Sequence, residues 1–149
     1  MDIKICRVHQ DAVVPTYAHP EDSGMDLHSV EEVRILPGER QLVKTGLKIA
    51  LPHPTGDGYK YEAQIRPRSG LALKEGVTVL NTPGTIDSGY RGEIGVILMN
   101  HGTSGIYVRK GTRIAQMVIA RVVDASFLEV TEEYLEESSR GEGGFGSTG

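Results

Sequence analysis

Apolar and polar residues alternate along much of the chain. One polar residue separates Ile3 from Ile5, and one separates Val33 from Ile35. A period of two residues is typical of β-strands that bury one face. Proline and glycine clusters interrupt these runs at short intervals, so the pattern predicts short strands joined by tight turns.

Two longer apolar runs, Ile94 to Met99 and Ile114 to Val123, predict buried strands. Helical patterns are sparse: Gly70 to Lys74 favours one turn of helix, and Glu132 to Glu137 is a weaker candidate. We therefore predict an all-β fold, a sandwich or jelly roll with at most one or two short helices. Turns are predicted at Pro37-Gly38, Pro52 to Gly58, Pro83-Gly84 and Asn100 to Gly105.

The end of the chain, residues 138–149, changes in composition. It is rich in glycine, with Phe145 as its one large apolar residue. Fixing each residue costs roughly 1–2 kcal/mol of backbone entropy, so such a segment becomes ordered when a contact repays that cost. A frayed terminus would explain the glycines. Because Arg140 and Phe145 are spaced along them, we favour a flexible arm that closes over a site.

Composition places the remaining residues, 1–137, in one globular domain. The chain has 149 residues, of which 38% are hydrophobic, enough for a single core. Cys6 is its one cysteine, which indicates a reducing compartment rather than a disulfide framework. Charged residues in the first fourteen positions argue against a signal peptide or membrane span. We expect a cytoplasmic protein, or a nuclear or organellar form if the source is eukaryotic.

The net charge of −4 argues against a surface that binds nucleic acid through many phosphates. A small polyanion would need a local site made from a few arginines and backbone N–H groups, with or without a metal.

Four loops carry residues suited to such a site. Ser23 to Leu27 and Arg66 to Ala72 suggest metal and phosphate binding, because one holds a carboxylate and the other an arginine, a hydroxyl and glycines. Asn81 to Gly92 contains an acid and a tyrosine, and Gly111 to Met117 contains an amide. Each loop alone has an ordinary explanation: a solvated arginine, an Asx turn or a satisfied buried amide.

Taken together, the loops resemble a known family. The segments SGMDL, PRSGLA, NTPGTIDSGYRGEI, GTRIAQM and RGEGGFGSTG are similar, in this order, to the five motifs of the trimeric dUTP diphosphatase family. The resemblance implies a distorted jelly roll, a homotrimer and active sites that combine motifs from different subunits. It also implies hydrolysis of dUTP to dUMP and pyrophosphate, which keeps uracil out of DNA and supplies dUMP for thymidylate synthesis.

The resemblance also implies a role for individual residues. Asp87 is expected to activate the water that attacks the α-phosphorus. Mg²⁺ is expected as cofactor, held mainly by the substrate phosphates, with Asp26 acting through a metal-bound water. Tyr90 should pack on the deoxyribose and Phe145 should stack on the base. The residues expected to bind phosphates are Arg68, Ser69, Gly70, Gln116 and Arg140; those expected around the base are Asn81, Gly84, Thr85, Ile86 and Gly95; Gly146 and Ser147 are expected to contribute from the arm.

Two other classes remain open at this point. dCTP deaminases resemble this fold and would release ammonia, and a non-enzymatic binding module could keep the pocket without the chemistry. Arg113 is explained equally by an internal salt bridge or by substrate contact. The five histidines are scattered, so we interpret them as surface residues and assign no role to His28.

Overall fold

The computed structural model describes residues 1–54 and 56–144. Within these ranges the chain is a β jelly roll with one short α-helix, as predicted. Its strands and helix follow the sequence in this order: β1 Lys4–Arg7, β2 Met25–His28, β3 Val33–Ile35, β4 Arg40–Lys44, β5 Leu47–Ala50, β6 Tyr59–Arg66, α1 Ser69–Glu75, β7 Val77–Val79, β8 Gly84–Asp87, β9 Gly95–Asn100, β10 Ile106–Val108 and β11 Arg113–Val123. A 3₁₀ helix covers Glu132–Tyr134.

The largest sheet in the described ranges has the order β2-β11-β6-β8. Strand β11 lies inside it and pairs antiparallel with both β2 and β6. A second sheet has the order β4-β9-β7, and the pairs β1-β5 and β3-β10 complete the fold. Because β8 and β9 belong to different sheets, the segment that joins them, residues 88–94, crosses the edge of the jelly roll.

The core forms where the alternating strands face each other. In β9 the side chains of Val96, Leu98 and Asn100 are buried, whereas those of the intervening residues are partly exposed. This is the two-residue periodicity of a pleated strand. Leu27 of β2 and Ile65 of β6 are buried in the same core cluster.

The sequence predicted both helical segments in the right places. Helix α1 extends one residue beyond the predicted Gly70 to Lys74 at each end and stops at Gly76. The second segment is shorter than predicted, because only Glu132–Tyr134 forms a 3₁₀ turn and none of its residues is buried. An acidic helix without an apolar face gains too little from packing to extend further.

Turn predictions were mostly confirmed, with one informative error. Pro37-Gly38 lies between β3 and β4, and Pro52 to Gly58 lies between β5 and β6, apart from Thr55, which is outside the described residues. Gly84 is the first residue of β8 rather than a turn residue. Asn100 was predicted to begin a turn, but it is the last residue of β9 and is buried.

Candidate active site

The first polar cleft lies where β2, β11 and β6 run side by side. We call it the arginine cleft; its cavity measures about 320 Å³ and is lined by Ala18, Asp22, Ser23, Gly24, Asp26, Arg66, Arg68, Ser69, Gly70, Gln116 and Val118. Gln116 of β11 is directly opposite Asp26 on one side and Arg66 on the other. Side chains at directly paired positions point to the same face of a sheet, which is why these three meet in one cleft.

A carboxylate between two guanidinium groups organises this cleft. Nε of Arg68 donates to Oδ1 of Asp26 at 2.8 Å, and Nη1 of Arg113 donates to Oδ2 at 3.1 Å. Arg68 and Asp26 are each about a quarter exposed, so this pair is shielded better than a surface ion pair. The bond from Nε orients the Arg68 guanidinium, and the bond from Arg113 holds the carboxylate that accepts it. Arg113 thus makes an internal salt bridge, which was one of its two sequence interpretations.

The remaining phosphate-binding candidates follow Arg68 directly. Ser69 and Gly70 begin α1, and Arg68 is its N-cap residue without a side-chain hydrogen bond to the helix. The first N–H groups of a helix have no partner within the helix, so those of Ser69 and Gly70 can donate to a ligand. Gln116 faces this turn from β11, where its Nε2 donates to the carbonyl oxygen of Pro67 at 2.9 Å.

A second cleft, with a mixed polar and apolar lining, lies at the β8–β9 connection, where the chain turns sharply between residues 87 and 90. We call it the hairpin cleft; its cavity also measures about 320 Å³ and is lined by Leu42, Asn81, Thr85, Ile86, Asp87, Tyr90, Glu93, Gly95 and Ile97. Six of the predicted site residues are therefore brought together here. Gly84 is buried beside them, and a Cβ on it would lie 3.2 Å from Nδ2 of Asn81.

Asp87 and Tyr90 are held in this cleft by a loop that bonds to itself. The N–H of Tyr90 donates to the Asp87 carbonyl at 3.0 Å, and its hydroxyl donates to the Glu93 carbonyl at 3.0 Å. Arg91 donates through Nη1 to the carbonyls of Ser88 and Tyr90, each at 2.7 Å. These bonds fix the tyrosine ring relative to the carboxylate.

Gly92 completes the loop because the tyrosine lies directly against it. A Cβ at this position would overlap the Tyr90 hydroxyl. A larger residue at position 92 would displace the Tyr90 side chain. Gly92 leaves room for Tyr90, which stays 44% exposed, while the hydroxyl reaches the Glu93 carbonyl.

The predicted residues thus fall into two clefts rather than one. Asp87 lines the hairpin cleft, whereas Arg68 and Asp26 line the arginine cleft. Arg140 is exposed, donates through Nε to the Gly143 carbonyl at 2.7 Å, and is not among the residues that line either cleft. Phe145, Gly146 and Ser147 lie outside the described residues.

Several residues of the clefts were not singled out from the sequence. Arg66 lines the arginine cleft, and Leu42 and Glu93 line the hairpin cleft. Arg66 stood in the loop Arg66 to Ala72 and Glu93 in the segment NTPGTIDSGYRGEI, so the charge of each was a usable signal. The sequence around Leu42 showed only an ordinary strand residue. Its side chain reaches the cleft because Gly95 has no side chain: a Cβ on Gly95 would lie 2.7 Å from Cδ1 of Leu42.

The interpretation of all five histidines as surface residues was wrong for His28. It is partly buried, and its Nδ1 is shielded from solvent without a hydrogen-bond partner in the structure. Burial lowers the pKa of this imidazole, partly offset by the nearby Asp26 carboxylate, and the Arg113 and Arg68 guanidinium groups lower it further. Its position opposite Arg113 on neighbouring strands explains these influences.

A metal site made from protein ligands alone does not occur in the described part of the chain. Residues 1–54 and 56–144 contain no group of three or more His, Cys, Asp or Glu side chains able to hold a metal ion together. The carboxylate nearest the phosphate candidates, Asp26, has both oxygens bonded to arginines. A dication here would have to take most of its ligands from a substrate and water, which is the usual coordination of Mg²⁺ on phosphates.

The chain is therefore a small jelly-roll protein with two clefts, one that carries arginines and one that carries a carboxylate. Such groups place it in a class of β-proteins suited to phosphorylated ligands. Comparison with known proteins identifies the family. The dUTPase family model matches residues 10–149, and the chain belongs to the dUTPase family.

Individual relatives agree with this assignment along the whole chain. Deoxyuridine 5'-triphosphate nucleotidohydrolase of Crocosphaera subtropica is 59% identical over 149 residues, which is 100% of this chain and 99% of that protein. The enzyme of the same name from Clostridium tetani is 58% identical over 147 residues, 99% of this chain and 96% of that protein. A Staphylococcus bacteriophage 80alpha dUTPase structure with dUPNHPP superposes with a TM-score of 0.86 at 28% identity, covering 99% of this chain and 98% of that one.

Proposed function

We propose that this protein hydrolyses dUTP to dUMP and pyrophosphate by attack of water on the α-phosphorus. The observation that carries the proposal is the position of Asp87, an exposed carboxylate in the hairpin cleft of a chain that belongs to the dUTPase family. The product dUMP would feed thymidylate synthesis, and removal of dUTP would keep uracil out of DNA.

Asp87 acts as general base in this proposal. Its carboxylate takes a proton from water while the water oxygen forms a bond to the α-phosphorus, and the bond from that phosphorus to the bridging oxygen breaks. Pyrophosphate leaves with the electron pair. A positioned base of this kind contributes about 10²–10⁴-fold in rate, so the remaining acceleration comes from holding and neutralising the triphosphate.

The arginine cleft supplies the phosphate contacts. Arg68 is oriented by Asp26, and the Ser69 hydroxyl and the N–H groups of Ser69 and Gly70 lie beside it at the start of α1. Guanidinium and backbone donors of this kind suit phosphate oxygens. When bound, Mg²⁺ would chelate the triphosphate and offset its charge, with Asp26 in reach of a metal-bound water.

The hairpin cleft selects the nucleoside. Backbone groups near Asn81, Gly84 and Gly95 would pair with the uracil edge, and Thr85 and Ile86 line the same cleft. A rigid set of donors and acceptors rejects a base that leaves them unpaired by up to about 10⁴–10⁵-fold. Tyr90, held by its own loop, would pack against deoxyribose and leave no room for a 2′-hydroxyl.

We also propose that the active enzyme is a homotrimer that assembles each site from more than one subunit. The two clefts hold different parts of the machinery and are separate within one chain. Residues 123–142 are exposed throughout, including Phe127, which is 100% exposed, and Leu128, which is 86% exposed. Burying these exposed apolar side chains against another copy of the chain would be favourable.

The arm, residues 138–149, completes the proposed site. It would bring Arg140 to the phosphates and Phe145 to the base, with Gly146 and Ser147 beside them, when substrate is bound. The ordering cost of a glycine-rich segment would then be met by those contacts. Residues 1–137 would form the jelly-roll domain that carries the arm.

One assay tests the reaction, the substrate and the metal together. Purified protein is incubated with dUTP, dCTP, dTTP and UTP, with Mg²⁺ or with EDTA, while pyrophosphate and ammonia are both measured. We expect pyrophosphate from dUTP with Mg²⁺ at a rate far above that from the other nucleotides. Ammonia from dCTP would identify a deaminase, and binding of dUTP without any product would identify a binding module.

Cellular location stays a prediction. Cys6 is an exposed free thiol, which suits the reducing cytoplasm expected from the sequence. None of the helices in the described ranges has the length and apolar character that a membrane crossing needs.

A further inference from the structure

Gln116 occupies the centre of the arginine cleft. It belongs to β11, between Asp26 of β2 and Arg66 of β6, and its backbone is fixed by pairing on both sides. Its side chain turns toward the end of β6, where Nε2 donates to the Pro67 carbonyl at 2.9 Å in a partly buried position. The amide therefore bonds to the residue that immediately precedes Arg68.

This is one of two side-chain hydrogen bonds that hold residues 67–70, the turn into α1, in the described part of the chain. The other is the bond from Nε of Arg68 to Asp26 at 2.8 Å. One bond fixes the backbone of the turn and the other fixes its guanidinium. Without the bond from Gln116 to Pro67, Arg68 would still be paired with Asp26, but the N–H groups of Ser69 and Gly70 could move relative to the Arg68 guanidinium.

Gly24, one residue before β2, lies against the other side of the Gln116 amide. A Cβ at position 24 would overlap Oε1 of Gln116 and would lie 3.1 Å from its Cδ and 3.3 Å from its Cβ. The three nearest atoms that such a carbon would meet all belong to Gln116. The backbone of Gly24 is outside the left-handed region, so an alanine there would be strained by this side chain and not by its own conformation.

We propose that Gly24 is a positioning residue for the 67–70 turn: by having no side chain, it leaves Gln116 the space to hold the Pro67 carbonyl, and so sets the phosphate donors. The inference rests on the proposed function, because it concerns phosphate binding by the same cleft. It adds a residue that offers no side chain to the substrate, and it assigns that residue an effect through one named side chain, that of Gln116.

The test is a cycle of four proteins: the parent chain, Gly24→Ala, Gln116→Ala and the double variant. Steady-state kinetics with dUTP and Mg²⁺ gives kcat and KM for each. We expect Gly24→Ala to raise KM about fivefold to tenfold, as the loss of the Gln116 contacts should. In the Gln116→Ala background the same change should have little further effect, because the amide that it displaces is gone and the remaining Cβ is only a tight contact at 3.3 Å.

A second readout does not depend on activity. A crystal structure of substrate-free Gly24→Ala should show the Gln116 amide moved off the Pro67 carbonyl, with the Arg68–Asp26 pair retained. Gly105→Ala serves as matched control: its Cβ would meet the flexible Leu36 side chain at 3.2 Å, neither residue lines either cleft, and KM should not change.

The outcomes separate the inference from the proposed function. If the parent protein leaves dUTP intact, the proposed function fails, while the crystal structure still tests the contact between Gly24 and Gln116. If Gly24→Ala is equally harmful in both backgrounds, or if Gln116 stays on Pro67, the inference is wrong. Should Gly24→Ala fail to fold, recovery of folding in the double variant would support the inference and its absence would overturn it.

Discussion

Asp87 and Tyr90 are three residues apart, and they are held in different ways. Asp87 ends a β-strand and is exposed, and its backbone carbonyl accepts the Tyr90 N–H. Tyr90 is bonded through its hydroxyl to the Glu93 carbonyl. A change at either side chain can therefore affect chemistry or selectivity while the loop keeps its backbone hydrogen bonds. This separation makes single-residue tests informative here.

Replacing Asp87 with Asn should abolish most turnover and preserve binding. The amide has nearly the same shape but cannot accept the proton from water, so we expect kcat to fall several hundredfold. Quenched-flow or pyrophosphate-coupled kinetics gives kcat, and calorimetry with a non-hydrolysable dUTP analogue gives affinity. Asp57→Asn, at an exposed carboxylate that contacts Arg121, is the control and should leave both unchanged. Turnover of Asp87→Asn near the parental value would exclude this residue as the base.

Shortening Tyr90 to Ala should weaken selection of the sugar. Without the ring, a 2′-hydroxyl fits, so kcat/KM for UTP relative to dUTP should rise about tenfold or more. Competition assays with both nucleotides measure the ratio directly. Tyr90→Phe removes the bond to the Glu93 carbonyl but keeps the ring, and should keep the ratio close to that of the parent. An unchanged ratio in Tyr90→Ala would contradict the role as sugar gate.

At the scale of elements, strand positions were predictable because burial follows the two-residue alternation. Ile94 to Met99 and Ile114 to Val123 are within one residue of β9 and β11. Asn100 was missed for a physical reason: a polar residue before glycine and serine is typical of an exposed turn. It is also bonded to the β3–β4 region, through its side chain to Ile35 and through its backbone to Gly38 and Glu39. No local pattern reveals these distant partners.

Asn100 should be a large single contributor to stability. It is 0% exposed and donates through Nδ2 to the carbonyls of Ile35 and Ser104, while its Oδ1 accepts the Gly102 N–H. Asn100→Ala leaves these buried groups without partners, and we expect a loss of about 2–4 kcal/mol in the free energy of unfolding. Urea denaturation at a fixed protein concentration measures it.

The control for this prediction lies in the same loop. Thr103 is exposed, so Thr103→Ala should change the free energy of unfolding by less than about 0.5 kcal/mol. A cost for Asn100→Ala as small as that of the control would mean that the surrounding backbone groups find other partners, and that this side chain does not hold the β9–β10 connection.

For the whole molecule, the sequence motifs predicted which residues line the clefts, but they did not predict how the two clefts are arranged in the chain. The motifs named residues of both clefts, but alternation and turn chemistry describe one chain and carry no information on which copy supplies each cleft. The structure adds the separation of Asp87 from Arg68 and the exposure of Phe127 and Leu128. Association depends on surfaces that exist only after folding, which is why the family resemblance alone implied the trimer.

The two parts of the chain end should have different functions. In the proposed enzyme, the apolar side chains of residues 123–135 hold subunits together, whereas the arm after Ser139 contacts substrate. Removing residues 140–149 should leave the oligomeric mass unchanged and lower dUTP turnover about a hundredfold or more, because Arg140 and the aromatic contact are lost. Light scattering and pyrophosphate release measure the two effects on the same sample.

The complementary variant carries Phe127→Ser and Leu128→Ser in the full-length chain. It should lower the oligomeric mass, and activity should fall with it because each site loses the cleft supplied by a neighbour. Both side chains are exposed in the single chain, so the change leaves the jelly-roll core intact and circular dichroism should be unaltered. A truncated protein that stays fully active would remove the arm from the mechanism, and a doubly substituted protein that becomes an active monomer would show that one chain holds a complete site.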